Sequence, residues 1–118
     1  MQSVYNEGGK TFTCGEDLLV NRRVKISTGT TTTPPEVIYA DAGEAYAGIT
    51  LSNEASGDKI SVNVRTYLVV AAAAFAVNAT LYGADDGKVS GTESGTAQFI
   101  ALEAATADGD VVEAVVQT

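Results

Sequence analysis

The sequence of 118 residues contains no histidine, no tryptophan and a single cysteine, Cys14. Without histidine the chain lacks the side chain that most often acts as a general acid or base near neutral pH, which excludes catalysis by Ser-His-Asp or Cys-His groups. One cysteine cannot form an internal disulfide, and one thiolate without histidine cannot build a zinc site. We therefore expect Cys14 to fill the core as a small apolar residue, and we expect neither a metal nor a cofactor.

Proline is also rare, with two residues against twelve glycines, while 45% of the chain is hydrophobic. This composition favours short strands joined by tight turns. The length fits one domain with one modest core. An unpaired cysteine is typical of a protein that folds in a reducing compartment such as the cytoplasm.

Basic residues are few, with seven against fifteen acidic ones, and the net charge is −8. A surface of this charge repels a phosphate backbone, so we expect no nucleic-acid partner. The charge is uneven, because residues 1–30 sum to +1 and residues 31–118 sum to −9. The N-terminal quarter therefore presents a surface that differs chemically from the rest.

Long hydrophobic runs are missing as well. The longest apolar run covers residues 67–77, and as a helix it would span about half of a bilayer's hydrocarbon core. The first residues do not contain the apolar segment of a signal peptide. We expect no membrane contact.

Residues 1–17 sustain neither a period of 2 nor a period of 3.6, and their apolar residues Val4, Tyr5 and Phe12 are isolated. This pattern predicts an extended N-terminal arm, which is either frayed or laid on a partner. Residues 18–118 are then a single β domain.

Alternating apolar and polar side chains predict strands through this domain. The clearest strand covers residues 59–65, where Ile60, Val62 and Val64 share one face. The alanines at 71–76 favour a short helix or turn after a strand at 68–70. The remaining predictions are a hairpin turn at 85–88 and strands at 18–26, 36–40, 46–52, 97–103 and 111–116.

These elements predict a mainly β fold, a compact antiparallel β-barrel or sandwich with one short Ala-rich helix. Jelly-roll closure fits the same pattern. A second observation is a pattern that occurs twice, about 51 residues apart, in which a short apolar segment is followed by a Gly-Asp turn and a strand. The first copy is ITL, GD and KISVNV, and the second is IAL, GD and VVEAVV. We interpret this echo as one hairpin pattern used twice, since a solenoid needs three or more units.

Three short motifs imitate binding loops without completing them. The GKT at 9–11 ends like a phosphate-binding loop, but Val4 stands where the first glycine is required. The acidic turns at 85–87 and 108–110 lack the full ligand spacing of a calcium loop, and ordinary turn chemistry explains them. Two carboxylates can hydrolyse glycosides without histidine, but a chance pair among fifteen acids carries no information. We expect no enzymatic activity.

The chain resembles the small capsid cement or decoration proteins of tailed phages and prophages. The resemblance covers most of the sequence, except for a Thr-Pro segment at 30–35 that looks like a local insertion. The segments that carry the resemblance are specific to this family only in combination. They are QSVYNEGGKTFT at 2–13, RRVK at 22–25, YAGITL at 46–51, LYGADDGKV at 81–89 and IALEAATADGDVVEAVV at 100–116.

The resemblance implies a protein that binds the outside of an assembled icosahedral head and stabilises it against internal pressure. Such proteins are compact β domains, often trimers and in some cases dimers, with an arm that lies against the major capsid protein. No catalytic residue is carried over. We predict a capsid interface formed by Val4, Tyr5, Lys10, Phe12, Arg22, Arg23 and Lys25.

Two alternatives stay open at this point. Arg22 and Arg23 fall on opposite faces of the strand predicted at 18–26, where their charges either protect a sheet edge or contact an acidic partner. The domain could also be another virion module, such as a tail or fibre part, or a display domain that binds a receptor or a glycan.

Overall fold

The computed structural model describes residues 9–28, 34–64 and 68–117, and Val4 and Tyr5 lie outside the described residues. The predicted mainly β fold is confirmed: the described residues form ten strands and no α-helix, with one 3₁₀ turn at Asp85–Gly87. The strands are β1 (Lys10–Cys14), β2 (Arg23–Ile26), β3 (Glu36–Tyr39), β4 (Gly48–Thr50), β5 (Lys59–Asn63), β6 (Leu68–Val70), β7 (Thr80–Gly83), β8 (Val89–Ser90), β9 (Ala97–Ala101) and β10 (Val111–Val116).

Strands β1 to β5 close into a barrel in the order β1-β3-β2-β4-β5. Strand β1 closes it by pairing antiparallel with β5 and parallel with β3. Because side chains alternate between the two faces of a strand, Phe12, Ile60 and Val62 fill the interior while Lys59 and Ser61 stay exposed outside.

Strands β6 to β10 form a second sheet in the order β6-β10-β9-β7-β8. An isolated parallel bridge between Ala71 and Val89 brings its two edges together. The five strands of this sheet correspond one to one to the strands of the barrel, because equivalent strands pair with equivalent neighbours in the same direction. The equivalent strands are β6 and β1, β7 and β2, β8 and β3, β9 and β4, and β10 and β5. We call residues 9–64 the first unit and residues 68–117 the second unit.

The pairing register agrees between the units as well. Thr13 lies opposite Lys59 in the first unit, as Val70 lies opposite Val111 in the second. The same correspondence holds for the pairs Arg23–Ile49 and Thr80–Ile100, Ile49–Asn63 and Ile100–Val115, and Cys14–Val37 and Ala71–Val89. The echoed hairpins of the sequence are therefore β4–β5 and β9–β10, and they are one part of a repeat that covers the whole described chain.

The loops of the two units share their unusual backbone conformations. Asn21 and Asn78 precede the second strand of their units with φ of 62° and 71°, and Gly57 and Gly109 turn the last hairpin with φ of 90° and 96°. Left-handed backbone is rare outside glycine, and asparagine is among the side chains that tolerate it best. The same unusual backbone conformations at equivalent positions confirm that the backbone follows the same path in the two units.

Each unit has its own buried cluster of apolar side chains. In the first unit the cluster is formed by Phe12, Cys14, Leu18, Val24, Val37, Ile60 and Val62. The cluster of the second unit includes Val69, Leu81, Phe99 and Val112, and it takes in Ile49 from the first unit. Thr50 pairs with Val62, which points into the barrel, so Thr50 points inward too. Its neighbour Ile49 therefore points to the outer face of the barrel, because adjacent side chains of a strand alternate between faces. The second unit therefore packs on the outer face of β4.

Arg23 lies beside Ile49 on this outer face and is fully buried. Burying a charge without partners is very costly, and here the guanidinium is surrounded by acceptors from both units. It donates to the carbonyl oxygens of Lys88 (2.9 Å), Ala84 (2.7 Å), Ala40 (2.8 Å), Asp41 (3.3 Å) and Glu44 (3.2 Å) and to Oε1 of Gln98 (3.3 Å).

Gly83 leaves the space that this side chain needs. A Cβ at Gly83 would lie 2.7 Å from Nη1 of Arg23, which is closer than real Cβ contacts. Burial lowers the pKa of the Arg23 guanidinium to about 10, so it stays charged at neutral pH. One cation thus connects the backbones of the two units.

Two predictions are wrong because of this architecture. No helix forms at 71–76: Ala71 exchanges backbone hydrogen bonds with Asp110 and Gly109, and Phe75 exchanges them with Ala105, so tertiary pairing overrides the helix preference of alanine. The boundary of the predicted arm at residue 17 is also wrong, because residues 10–14 form a barrel strand. The sequence did not predict the division of the described chain into two units.

The Arg23 cluster gives a stability prediction. Replacing Arg23 with Met removes six hydrogen bonds and leaves buried carbonyl oxygens without their donor, at about 1–3 kcal/mol for each unsatisfied group. We expect Arg23→Met to lower the free energy of unfolding by about 3 kcal/mol or more in urea titrations. Lys25→Met, which removes a partly exposed ion pair, should cost less than about 1 kcal/mol. Equal costs would show that the cluster does not hold the units together.

Candidate functional site

The five predicted interface residues that the structure describes, Lys10, Phe12, Arg22, Arg23 and Lys25, do not share one exposed surface. Lys10 is exposed at the start of β1. Phe12 is buried in the first core, with 7% of its surface exposed. Arg23 is fully buried between the units, so neither Phe12 nor Arg23 is available to an outside partner in this fold. Residues 10–12 belong to a barrel strand rather than to a free arm.

Arg22 and Lys25 are half-buried and already engaged within the chain. Nη1 of Arg22 donates to the carbonyl oxygen of Asp86 (3.0 Å), and its guanidinium lies 5.7 Å from the centre of the Tyr39 ring. Lys25 forms an ion pair with Glu44, and this hydrogen bond lowers the pKa of the Glu44 carboxyl. Arg22 precedes β2, so the two arginines do not lie on one strand as predicted. Arg23 faces the second unit, and Arg22 contacts that unit as well through Asp86.

Cys14 is buried in the first core with 1% of its surface exposed, as expected for an apolar filler. Burial raises the pKa of its thiol, and the nearby carboxylates raise it further. A thiol in this state is a poor nucleophile.

Two clefts are open at the surface. One of about 550 Å³ lies where the units meet, and its apolar lining includes Tyr46, Val64 and Val116. The other, of about 480 Å³, is lined by acidic side chains, and its one cation, Lys88, is held by Asp108 at 2.7 Å. Within the part of the chain that the structure describes, no group of three or more acidic, Cys or His side chains fits a metal ion, and no helix is long and apolar enough to cross a membrane.

Exposed apolar side chains are the clearest candidates for contact with a partner. They lie in both units and are Leu19, Ile26, Leu51, Val64, Leu68, Val77, Leu102, Val111, Val115 and Val116. Such side chains mark a protein-binding site where they form one contiguous patch. None of these residues is among the interface residues predicted from the sequence, because that prediction rested on cations and on an N-terminal arm.

The two units carry different charge. Residues 9–64 have seven acidic and five basic side chains, whereas residues 68–117 have seven acidic side chains and the single base Lys88. The first unit therefore carries a net charge of −2 and the second a net charge of −6, and the uneven charge of the sequence, which changes at residue 30, falls within the first unit. A partner of the second unit must tolerate or balance a strongly negative surface.

The interface between the units gives a second stability prediction. Ile49 belongs to the outer face of one unit and to the core of the other. We expect Ile49→Ala to cost about 2–5 kcal/mol of unfolding free energy. Ile26→Ala, at a 40% exposed position on the neighbouring strand, should cost under about 1 kcal/mol. A small loss for Ile49→Ala, measured by urea unfolding, would mean that the units pack loosely.

The fold is shared with a solved structure. No protein-family model matches the chain, and no curated protein sequence matches it significantly. The crystal structure of the N base of the head fibre gp8.5 in bacteriophage phi29 superposes with a TM-score of 0.79 and 21% sequence identity, over 92% of this chain and 92% of that one. This chain is therefore similar in fold, along nearly its whole length, to the base of a phage head fibre.

Proposed function

We propose that this chain is a structural protein of a phage virion that binds the outer surface of the head and stabilises the capsid lattice. The observation that carries the proposal is the likeness in fold to the N base of the phi29 head fibre over 92% of both chains. The sequence resemblance to capsid cement proteins points the same way. The partner would be the major capsid protein, and the chain would be made in the cytoplasm of the host bacterium.

The chemistry of the described residues supports a binding role without catalysis. The thiol of Cys14 is buried, the cations of β2 are used within the fold, and the described acidic groups form no metal cluster. The net charge of −8 fits a protein on the outside of a shell, away from DNA. We propose neither an enzymatic activity, nor a cofactor, nor contact with nucleic acid or membrane.

Weak individual contacts suffice in this role if several are made at once. A homotrimer, or a dimer, would engage several capsid subunits together, and linked binding events multiply their affinities. In the proposed contact, the segment before Gly9, with Val4 and Tyr5, adds apolar anchors, and exposed Lys10 adds a nearby charge.

A second function is favoured by the particular protein that shares the fold. The phi29 protein is described as the base of a head fibre, so this chain could equally serve as a head-bound base for a longer displayed module. Both functions require attachment to the head. They differ in whether a further domain is attached, and a glycan- or receptor-binding role would belong to that domain.

The proposal predicts saturable binding to heads. Purified protein is mixed with heads assembled from the major capsid protein encoded with it, and bound protein is measured by co-sedimentation. We expect a defined number of copies per head and a rise in the temperature at which the shells break. Protein that stays in the supernatant at all concentrations would refute the proposal, and so would its location inside intact particles.

Truncation tests the contribution of the N-terminal segment. The deletion must stop at residue 8, because Lys10–Cys14 is a barrel strand with Phe12 in the core. We expect removal of residues 2–8 to weaken binding to heads at least tenfold with unchanged unfolding free energy. The matched control replaces residues 2–8 with a Gly-Ser segment of equal length. Undiminished binding of both variants would remove this segment from the mechanism.

A further inference from the structure

One outer sheet face of the second unit is apolar and exposed. Directly paired residues share a face of a sheet, so the pairs Glu113–Leu68 and Val115–Ile100 place these side chains together with Val111. Leu68, Val111 and Val115 are 42%, 51% and 37% exposed. The opposite face of β10, with Val112 and Ala114, fills the core. We call the outward set Leu68, Thr80, Ile100, Val111, Glu113 and Val115 the β10 face.

The repeat shows what the equivalent face of the first unit contacts. Thr80, Ile100 and Val115 of the β10 face stand where Arg23, Ile49 and Asn63 stand in the first unit. Of those counterparts, Arg23 and Ile49 are fully buried under the second unit. In the first unit, this region of the sheet is thus covered by the second unit. The equivalent region of the second unit is not covered within the described residues.

The apolar character of the β10 face is not required by the fold. Leu68, Val111 and Glu113 correspond to Thr11, Lys59 and Ser61, which are exposed polar residues of the first unit. The barrel therefore tolerates polar side chains there. Exposed apolar residues at these positions cost solubility without stabilising the unit, which is the signature of a binding surface.

Charge restricts what can cover the face. Glu113 lies at the centre of the face. A second carboxylate, that of Glu103, is close by, because it accepts a hydrogen bond from the Glu113 backbone N–H (2.7 Å). Lys88, the only base among residues 68–117, is paired with Asp108. Two β10 faces brought together would place carboxylates against each other, which opposes self-association through this face. A partner with an apolar centre and a Lys or Arg facing Glu113 is complementary.

We propose that the β10 face is the surface through which this chain docks on the shell protein of the head. The inference deepens the proposed function and rests on it. The docking element of the shell protein packs over Ile100, Val111 and Val115 as the second unit packs over Ile49, and its basic side chain pairs with Glu113.

The repeat supplies the test variant. Val111→Lys with Val115→Asn places on the second unit the residues that the first unit carries at these positions, so the fold should accept them. The control, Val77→Lys with Leu51→Asn, makes the same changes at exposed apolar positions outside the face, with 59% and 45% exposure, and alters the net charge equally. Binding to purified heads is measured by co-sedimentation, unfolding by urea titration, and oligomeric state by light scattering.

We expect the β10-face variant to bind heads at least tenfold more weakly, while the control binds as the unsubstituted protein does and both unfold at similar urea concentrations. Equal binding by both variants would overturn this inference and leave the proposed function standing. Loss of self-association with unchanged binding to heads would assign the face to a second copy and would also overturn it. If the unsubstituted protein does not bind heads, the proposed function and this inference fall together.

Discussion

The buried guanidinium of Arg23 is the contact on which the arrangement of the two units depends. A charge removed from water is tolerated only when hydrogen bonds replace its hydration, and here the acceptors come from both units. Moving one unit relative to the other would separate the cation from part of this set. The absence of a side chain at Gly83 makes the close approach possible, and Ile49 adds apolar packing beside it.

The repeat explains why the two halves of the chain differ in surface chemistry. The second unit covers part of the outer face of the first unit, and the exposed outer positions Thr11, Lys59 and Ser61 of the first unit are polar. Within residues 9–117 no element covers the equivalent region of the second unit, yet it carries Ile100, Val111 and Val115 there. Because the interiors of both units are filled by similar apolar sets, the difference lies in what each outer face contacts rather than in how each barrel folds.

In the proposed function, the chain works through its surfaces. Three of the cations predicted for the capsid interface make contacts within the fold: Arg23 joins the units, Arg22 contacts Asp86 and Tyr39, and Lys25 pairs with Glu44. What remains outside is an acidic second unit with exposed valines and leucines. Such a surface suits contact with a protein lattice that presents many equal sites, where weak contacts add.

The sequence by itself determined the β class, the inward residues Ile60 and Val62 of β5, the hairpin turn before β8 and the absence of His-dependent chemistry, because these follow from residue type and the period of two. It also contained the echo of the last hairpins. Only the tertiary structure decided that the echo extends to whole units, that β1 joins the barrel, that Ala71 and Phe75 form bridges to distant segments where a helix was predicted, and that Arg23 is buried. Each of these depends on contacts between residues far apart in the chain, and local propensity and periodicity carry no information about which distant segment covers a given face.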